Sequence, residues 1–367
     1  MSGGPAGAPN HRVFGRCPRC RRRRIHTVPR FDPVALIESA YDVEAPTTRW
    51  LHALAQSARQ TLGLRNIGAY ALTYDASDVS RCVFDAFEHD GIADPRLLRL
   101  LRDDMPALYR SEPTVVEAVF RRTPYGPSRR LPLTGAVAEG RRRLIGLGAK
   151  DILGLNGVNV DGRGAHVGVL LPAHVPASMP GELLARLSSH LAASFRLRAR
   201  LGEQPALQRA EAVLTTRGTI EHAKGAAKLR EARTALAEAA ARIERLRGPV
   251  DRRDPERAVA RWRALVDGRW SLVDHFEKDG KRYLLAERND PEPAPFALLT
   301  VRERQVVALA AVGHANKMIG YELGISVSTA GVLLSRAAKK LGVRSRSALV
   351  AAYRREALRR TTGSASE

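Results

Sequence analysis

Ser328, Thr329, Val332, Ser335, Arg336 and Lys339 recur at intervals that a helix of 3.6 residues per turn gathers on one side, while Ala330, Leu334, Ala337 and Leu341 fall on the other. Hydroxyls, a small apolar group and cations on one helical face suit recognition by hydrogen bonding and ion pairing, with base edges and phosphates as the matching partners. Gly331 lies among them and lets a groove wall or phosphate come close to the backbone. The N-terminal part of a reading helix is the part that reaches bases in the major groove. Ser328, Thr329, Gly331, Val332 and Ser335 are therefore expected to face bases, and Arg336, Lys339, Lys317 and Arg346 to meet phosphates. Ser326, a good N-cap for this helix, completes the candidate set.

The elements that would position these residues are legible on either side. Thr300 followed by Glu303 has the spacing of a capping box, so a helix is expected from near Val301, with Val301, Val306, Leu309 and Ala310 on one face and Gly313 at its end. A second helix is expected over Asn316 to Leu323, with Gly324 turning the chain into the third. Gly342 stops the third, and Ser345 to Leu358 forms a fourth.

This stretch resembles the LuxR/NarL type of DNA-binding domain. The resemblance is carried by Leu299-Thr300, Arg302-Glu303, Val306, Leu309, Gly313, Asn316-Lys317, Ile319, Leu323-Gly324-Ile325-Ser326, Ser328-Thr329, Lys340-Leu341-Gly342-Val343 and Ser345-Arg346. It implies an all-α four-helix domain whose third helix reads double-stranded DNA and whose fourth supplies a dimer contact. The chain departs from the pattern at Thr329-Ala330-Gly331, where the family usually has a Lys, and at Leu333, where a His or Asn is usual. Base readout is expected to be thinner than in the family, and the mid-helix glycine to cost roughly 1 kcal/mol relative to Ala.

Charge agrees with an anionic partner. The 367 residues hold 60 Lys and Arg against 38 Asp and Glu, a formal +22. Between Phe296 and Arg360 the bases Arg302, Arg304, Lys317, Arg336, Lys339, Lys340, Arg344, Arg346, Arg354, Arg355, Arg359 and Arg360 face only Glu303, Glu322 and Glu356. Neutralising phosphates on that scale makes binding steeply salt-dependent.

Residues 1–30 contain eight arginines and no acid, in a Gly- and Pro-rich stretch without apolar periodicity that is expected to be disordered. This tail is either an accessory arm on nucleic-acid phosphates or an upstream extension. Cys17 and Cys20 have the spacing of half a zinc site, which His11 or His26 would complete, but the adjacent run Arg21 to Arg24 disfavours a cation there. An unliganded pair is the expectation. Few cysteines, no apolar stretch of the ~20 residues a membrane span needs and no secretory leader pattern point to a cytoplasmic chain without a membrane partner.

The remainder divides by pattern into residues 31–202 and 204–290, with 296–360 as the helical domain and 361–367 as a tail. In the first, helical stretches Val34 to Tyr41 and Thr47 to Leu62 precede strands Ile67 to Tyr74 and Ser80 to Phe87. Helical patches Pro95 to Arg102 and Thr114 to Arg121, a loop Thr123 to Pro132, a hairpin Ile152 to Leu171 and an amphipathic helix Met179 to Leu201 follow. This order resembles GAF sensory domains, an α+β fold in which the sheet and the irregular middle enclose a small-molecule pocket. Tyr70, Tyr74, Cys82 and Phe84 lie on candidate strands there, as pocket lining or as plain core.

Between 204 and 290, hairpin Ala212 to His222, helices Ala226 to Leu246 and Pro255 to Val266, and hairpin Trp270 to Glu287 turning at Asp279-Gly280 resemble a reduced α+β PAS-type module. A helical coupling segment is the competing reading. Pro291, Pro293 and Pro295 read as a stiff spacer.

No phosphate-binding glycine loop, nucleophile elbow or His-Glu-x-x-His stands in the chain, so no enzyme is expected. His89, His166, His174, His190 and His275 read as satisfied core or surface residues. Asp103-Asp104 lacks the alternating β/α setting of a phosphoryl acceptor. The spaced aromatic residues of acyl-homoserine-lactone sensors are also missing, since Trp50 is the sole Trp before Trp262. The resulting expectation is a one-component bacterial-type transcription regulator that binds promoter DNA as a homodimer under control of a small-molecule signal, with no identified cofactor and with RNA polymerase as a candidate partner. The alternatives are a sensor or adaptor whose helix-turn-helix binds a protein, and an RNA-binding role for the arginine-rich tail.

Overall fold

The computed structural model describes residues 31–200, 205–276, 281–289 and 298–363, with side chains as far as residue 356. The arginine-rich stretch with Cys17 and Cys20, the Asp279-Gly280 turn, the three spacer prolines and residues 364–367 lie outside the described residues.

The first α+β unit opens with α1 (Pro33–Ala40) and α2 (Thr47–Thr61). Trp50, Leu51, Leu54, Ala55 and Ala58 form the buried face of α2, and Trp50 Nε1 donates to the Ala40 carbonyl at 2.9 Å, fixing the two helices together. Strands β1 (Gly68–Asp75) and β2 (Val83–Asp90) follow, antiparallel with a bulge between Thr73 and Tyr74.

The irregular middle comprises α3 (Pro95–Arg99), a π-helical turn Leu100–Asp104, α4 (Met105–Arg110), α5 (Pro113–Val116), a second π-helical turn Glu117–Arg122, strand β3 (Tyr125–Pro127) and α6 (Gly135–Gly146). Thr123 to Pro132 is thus not a plain loop, because Tyr125–Pro127 pairs with the next strand. Strands β4 (Asp151–Val158) and β5 (Arg163–Leu171) form the expected hairpin, and α7 (Gly181–Ala199) closes the unit.

The five strands form one antiparallel sheet in the order β2-β1-β5-β4-β3. Strand alternation sends Ala69, Ala71, Leu153, Leu155, Val167 and Val169 to a core shared with α1, α2 and α7. Tyr70, Leu72, Tyr74 and Leu170 point the other way, against the irregular middle. Helix α7 departs from its expected amphipathic form. Leu183, Leu184, Leu187, Leu191 and Leu197 are buried, but so are Ser188, Ser189, His190, Ser194 and Arg196: Ser188 donates to the Pro124 carbonyl of its own unit, His190 lies against Trp262 of the second unit and Tyr321 of the third, and Arg196 pairs with Glu322 of the third.

In the second unit, α8 (Ala206–Arg209) leads to β6 (Ala212–Thr215), β7 (Ile220–Ala223), α9 (Arg230–Arg247), α10 (Pro255–Arg261), β8 (Trp270–Phe276) and β9 (Arg282–Arg288). Its four strands make a second antiparallel sheet in the order β7-β6-β9-β8. The helical-segment reading of residues 204–290 is therefore set aside: both hairpins form, and β6 joins them by pairing with β9. Helix α9 covers this sheet with Leu236, Ala240, Ile243 and Leu246.

The third unit is α11 (Val301–Ala311), α12 (Asn316–Leu323), α13 (Val327–Lys340) and α14 (Arg346–Gly363). Val306, Leu309, Ile319, Leu323, Ala330, Leu334, Ala337, Leu349 and Tyr353 meet in one core. Val301 is not part of it, being 53% exposed at the first turn of α11.

Candidate nucleic-acid interface and an internal cavity

Local hydrogen bonding sets the helix-turn-helix geometry. Thr300 accepts from the Glu303 N–H at 3.2 Å while Glu303 accepts from the Thr300 N–H at 2.8 Å, the reciprocal pair of a capping box. Gly324 ends α12 with a φ of +69°, a left-handed turn that L side chains adopt reluctantly. Ser326 Oγ then accepts from the Thr329 N–H at 2.9 Å and caps α13.

Along α13, Ser328, Thr329, Val332, Ser335, Arg336 and Lys339 are exposed, so the face expected to read DNA is open to a partner. Three of the expected site residues are arranged differently from the expectation. Gly331 is half-buried, and a Cβ there would lie 3.4 Å from Asn316 Nδ2, so it faces the start of α12 rather than pointing freely outward. Lys317 pairs with Glu182 at the start of α7. Arg346 donates to Asn316 Oδ1 at 2.6 Å and to the His314 carbonyl at 2.5 Å, which joins α14 to the entry of α12. Ser326 spends its hydroxyl on capping and also lies 2.8 Å from Ser328 Oγ.

The domain is seated on the rest of the chain along α12 and the ends of α11 and α14. Glu322 is fully buried; burial alone would raise its pKa, but Arg196 at 2.6 Å and His314 Nε2 at 3.2 Å hold it down to about 2. The Arg196 contact is a hydrogen bond, whereas the His314 contact has only the distance of an ion pair. Tyr321 Oη lies 2.8 Å from His190 Nε2 and donates within 2.7 Å of the Val259 carbonyl, and Arg186 stands 5.6 Å from its ring centre. Arg302 pairs with Asp267 at 2.7 Å, and Arg263 donates to the Gly324 carbonyl at 2.8 Å. No local pattern in the sequence encodes these contacts. The signal that existed was polar: His190, Ser194 and Arg196 stand on the face of a helix otherwise patterned for a core.

A cavity of about 50 Å³ lies on the other side of the first sheet, between β1, β5 and the irregular middle. Tyr70 and Phe84 line it, together with Tyr109, Phe120, Arg141 and His166. Tyr74 instead fills core, donating within 2.8 Å of Asn156 Oδ1 and 2.9 Å of the Phe120 carbonyl. Cys82 is buried just before β2 rather than on it, and burial pushes its thiol up to about 12. His166 is not the satisfied residue expected, since its Nδ1 is buried without a hydrogen-bond partner.

The second π-helical turn touches both features. Its Val119 and Phe120 line the cavity. Its Glu117 pairs with Arg354 of α14 at 3.0 Å, and its Arg122 carbonyl would lie 2.9 Å from a Cβ at Gly313, the residue that ends α11.

An open reading helix, capped and held by three others, defines this C-terminal unit as a helix-turn-helix domain. Residues 297–352 match the family model described as "Bacterial regulatory proteins, luxR family", which makes this segment a LuxR-type helix-turn-helix and, at that general level, a DNA-binding module of transcription regulation. No curated protein and no solved structure matches the chain. No single helix among the described residues is long and apolar enough to cross a membrane.

Proposed function

We propose that this protein is a signal-controlled transcription regulator, not an enzyme: a GAF-like sensor, a PAS-like coupling module and a LuxR-type reader that binds a two-fold DNA site as a homodimer. Base contact falls to Ser328, Thr329, Val332 and Ser335, and phosphate contact to Arg336 and Lys339, with Lys317 joining when its pair with Glu182 opens. The observation that carries the regulatory part is the turn Glu117–Arg122, which gives Val119 and Phe120 to the cavity and Glu117 to the ion pair with Arg354. An occupant that moves this turn changes a contact made by the reader domain, which is the physical requirement for coupling between two sites.

Support for the sensor reading comes from the order of helices, paired strands, irregular middle and closing helix, and from an internal cavity where such a unit would hold a small molecule. Occupancy near a promoter, and through it access of RNA polymerase, would be the output. Selection of purified full-length protein on a pool of random duplex DNA, sequenced after retention at two salt concentrations, tests the reading. A two-fold motif that survives the higher salt supports it. Retention without any motif, lost at higher salt, would mean charge-driven binding alone.

A further inference from the structure

Helix α6 carries a cation toward the cavity. Its inward stripe runs Val137, Arg141, Leu144, the i, i+4, i+7 positions where an amphipathic helix places apolar residues, and all three line the cavity. The neighbouring arginines turn to carboxylates: Arg142 pairs with Glu139 at 2.5 Å and Arg143 with Asp104 at 2.6 Å. Arg141 does not. Its Nε is buried with no hydrogen-bond partner, and it forms no ion pair among the described residues.

Arg141 is half-buried, and it is the Nε–H that is shut off from water without an acceptor, which is costly; a carboxylate, with two oxygens matching the guanidinium fork, is the group that best relieves it. The surrounding wall is mostly aromatic and aliphatic; its other polar groups are the Tyr70 and Tyr109 hydroxyls, Ser128, whose hydroxyl donates to Asp151 at 2.9 Å, and the His166 ring, which stays uncharged because burial pushes its pKa down to about 4. One cation at the edge of a largely apolar wall fits one negative charge on an apolar body and disfavours a polyanion such as a nucleotide. Size limits that body as well. The cavity of about 50 Å³ is roughly a third of the ~150 Å³ apolar cavity that takes up benzene. The two π-helical turns beside it, which contribute Leu101, Val119 and Phe120, are the segments available to yield.

We propose that the cavity binds a small monocarboxylate with a short aliphatic or single-ring body, its carboxylate on the Arg141 guanidinium and its body against Tyr70, Tyr109 and Phe120. This deepens, and rests on, the reading of the cavity as the signal site.

Calorimetry and thermal shift on the full-length chain without DNA, using butyrate and benzoate beside their neutral counterparts butyramide and benzamide, test it. The expected result is at least tenfold tighter binding of an acid than of its amide, with Arg141→Gln removing that preference. Arg141→Met, which keeps the packed stem, should do the same with an unfolding temperature near that of the wild type. Equal affinity for acids and amides, no binding by any of the four, or an unchanged preference in both variants would overturn the proposal. DNA retention measured separately with the bound acid distinguishes the two claims: acid binding that leaves retention unchanged supports this site and contradicts the regulatory reading.

Discussion

Tyr321 Oη, on α12 of the reader domain, lies 2.8 Å from His190 Nε2 on the closing helix of the first unit, and the same ring nitrogen is 3.1 Å from the Trp262 carbonyl of the second. All three units therefore meet at one buried imidazole. With the ring neutral, a consistent assignment has Nε2–H donating, the Tyr321 hydroxyl donating in turn to the Val259 carbonyl at 2.7 Å, and Nδ1 accepting from the Tyr41 hydroxyl at 3.3 Å. Tyr321→Phe removes the central link. It should cost about 1–3 kcal/mol of stability and make the junction between reader and sensor more open to limited proteolysis. An unchanged unfolding temperature and cleavage pattern would assign the hydroxyl no part in docking.

Acid should loosen this junction. Burial pushes His190 down to about 4 from an ordinary value of 6.5, and His166 to about 4 as well. The unfolded chain then binds more protons than the folded one between those values, so stability is retained above pH 6.5 and falls as the pH drops toward 4. Each ring contributes on the order of 3 kcal/mol to that fall. Denaturant unfolding across the window measures it, and His190→Gln should flatten part of the slope.

Glu322 titrates in a different window. Its folded value of about 2 against an ordinary 4.5 gives stability that is present above pH 4.5 and lost as the pH falls toward 2. Glu322→Gln leaves the Arg196 guanidinium buried with no counter-charge and should cost roughly 3–5 kcal/mol, whereas replacing both residues by apolar ones should recover much of that loss. A double variant no more stable than Glu322→Gln would show that the pair does more than compensate its own burial.

Gly331→Ala should stabilise the protein by about 1 kcal/mol, because a helix interior favours Ala and the added Cβ meets Asn316 at 3.4 Å, an ordinary contact. Equilibrium unfolding gives the change directly. If the variant also loses DNA affinity, close approach of the backbone at Gly331 to a groove wall explains the glycine; unchanged affinity removes that explanation.

The helix boundaries of the reader domain were legible because each is fixed by local chemistry: Thr300 with Glu303, Gly324, Ser326 and Gly342 act within a few residues of themselves. Helix α6 was not, since Gly135, Gly140 and Gly146 interrupt its pattern and its stripe includes Arg141. The π-helical turns leave no sequence periodicity of their own. The roles of Lys317 and Arg346 escaped for another reason: charge and position suit a phosphate, and only tertiary packing brings Glu182 to one and the His314 carbonyl to the other. The same packing buries α7 on a side that its own sequence leaves polar.

The exposed face of α13 is the surface proposed to bind DNA. Affinity of the full-length protein for a selected duplex, measured over a series of salt concentrations for the wild type and for Arg336→Ala with Lys339→Ala, tests it most directly. Loss of two phosphate contacts should weaken binding and reduce the slope of log affinity against log salt by about 2. An unchanged affinity and slope would contradict the assignment.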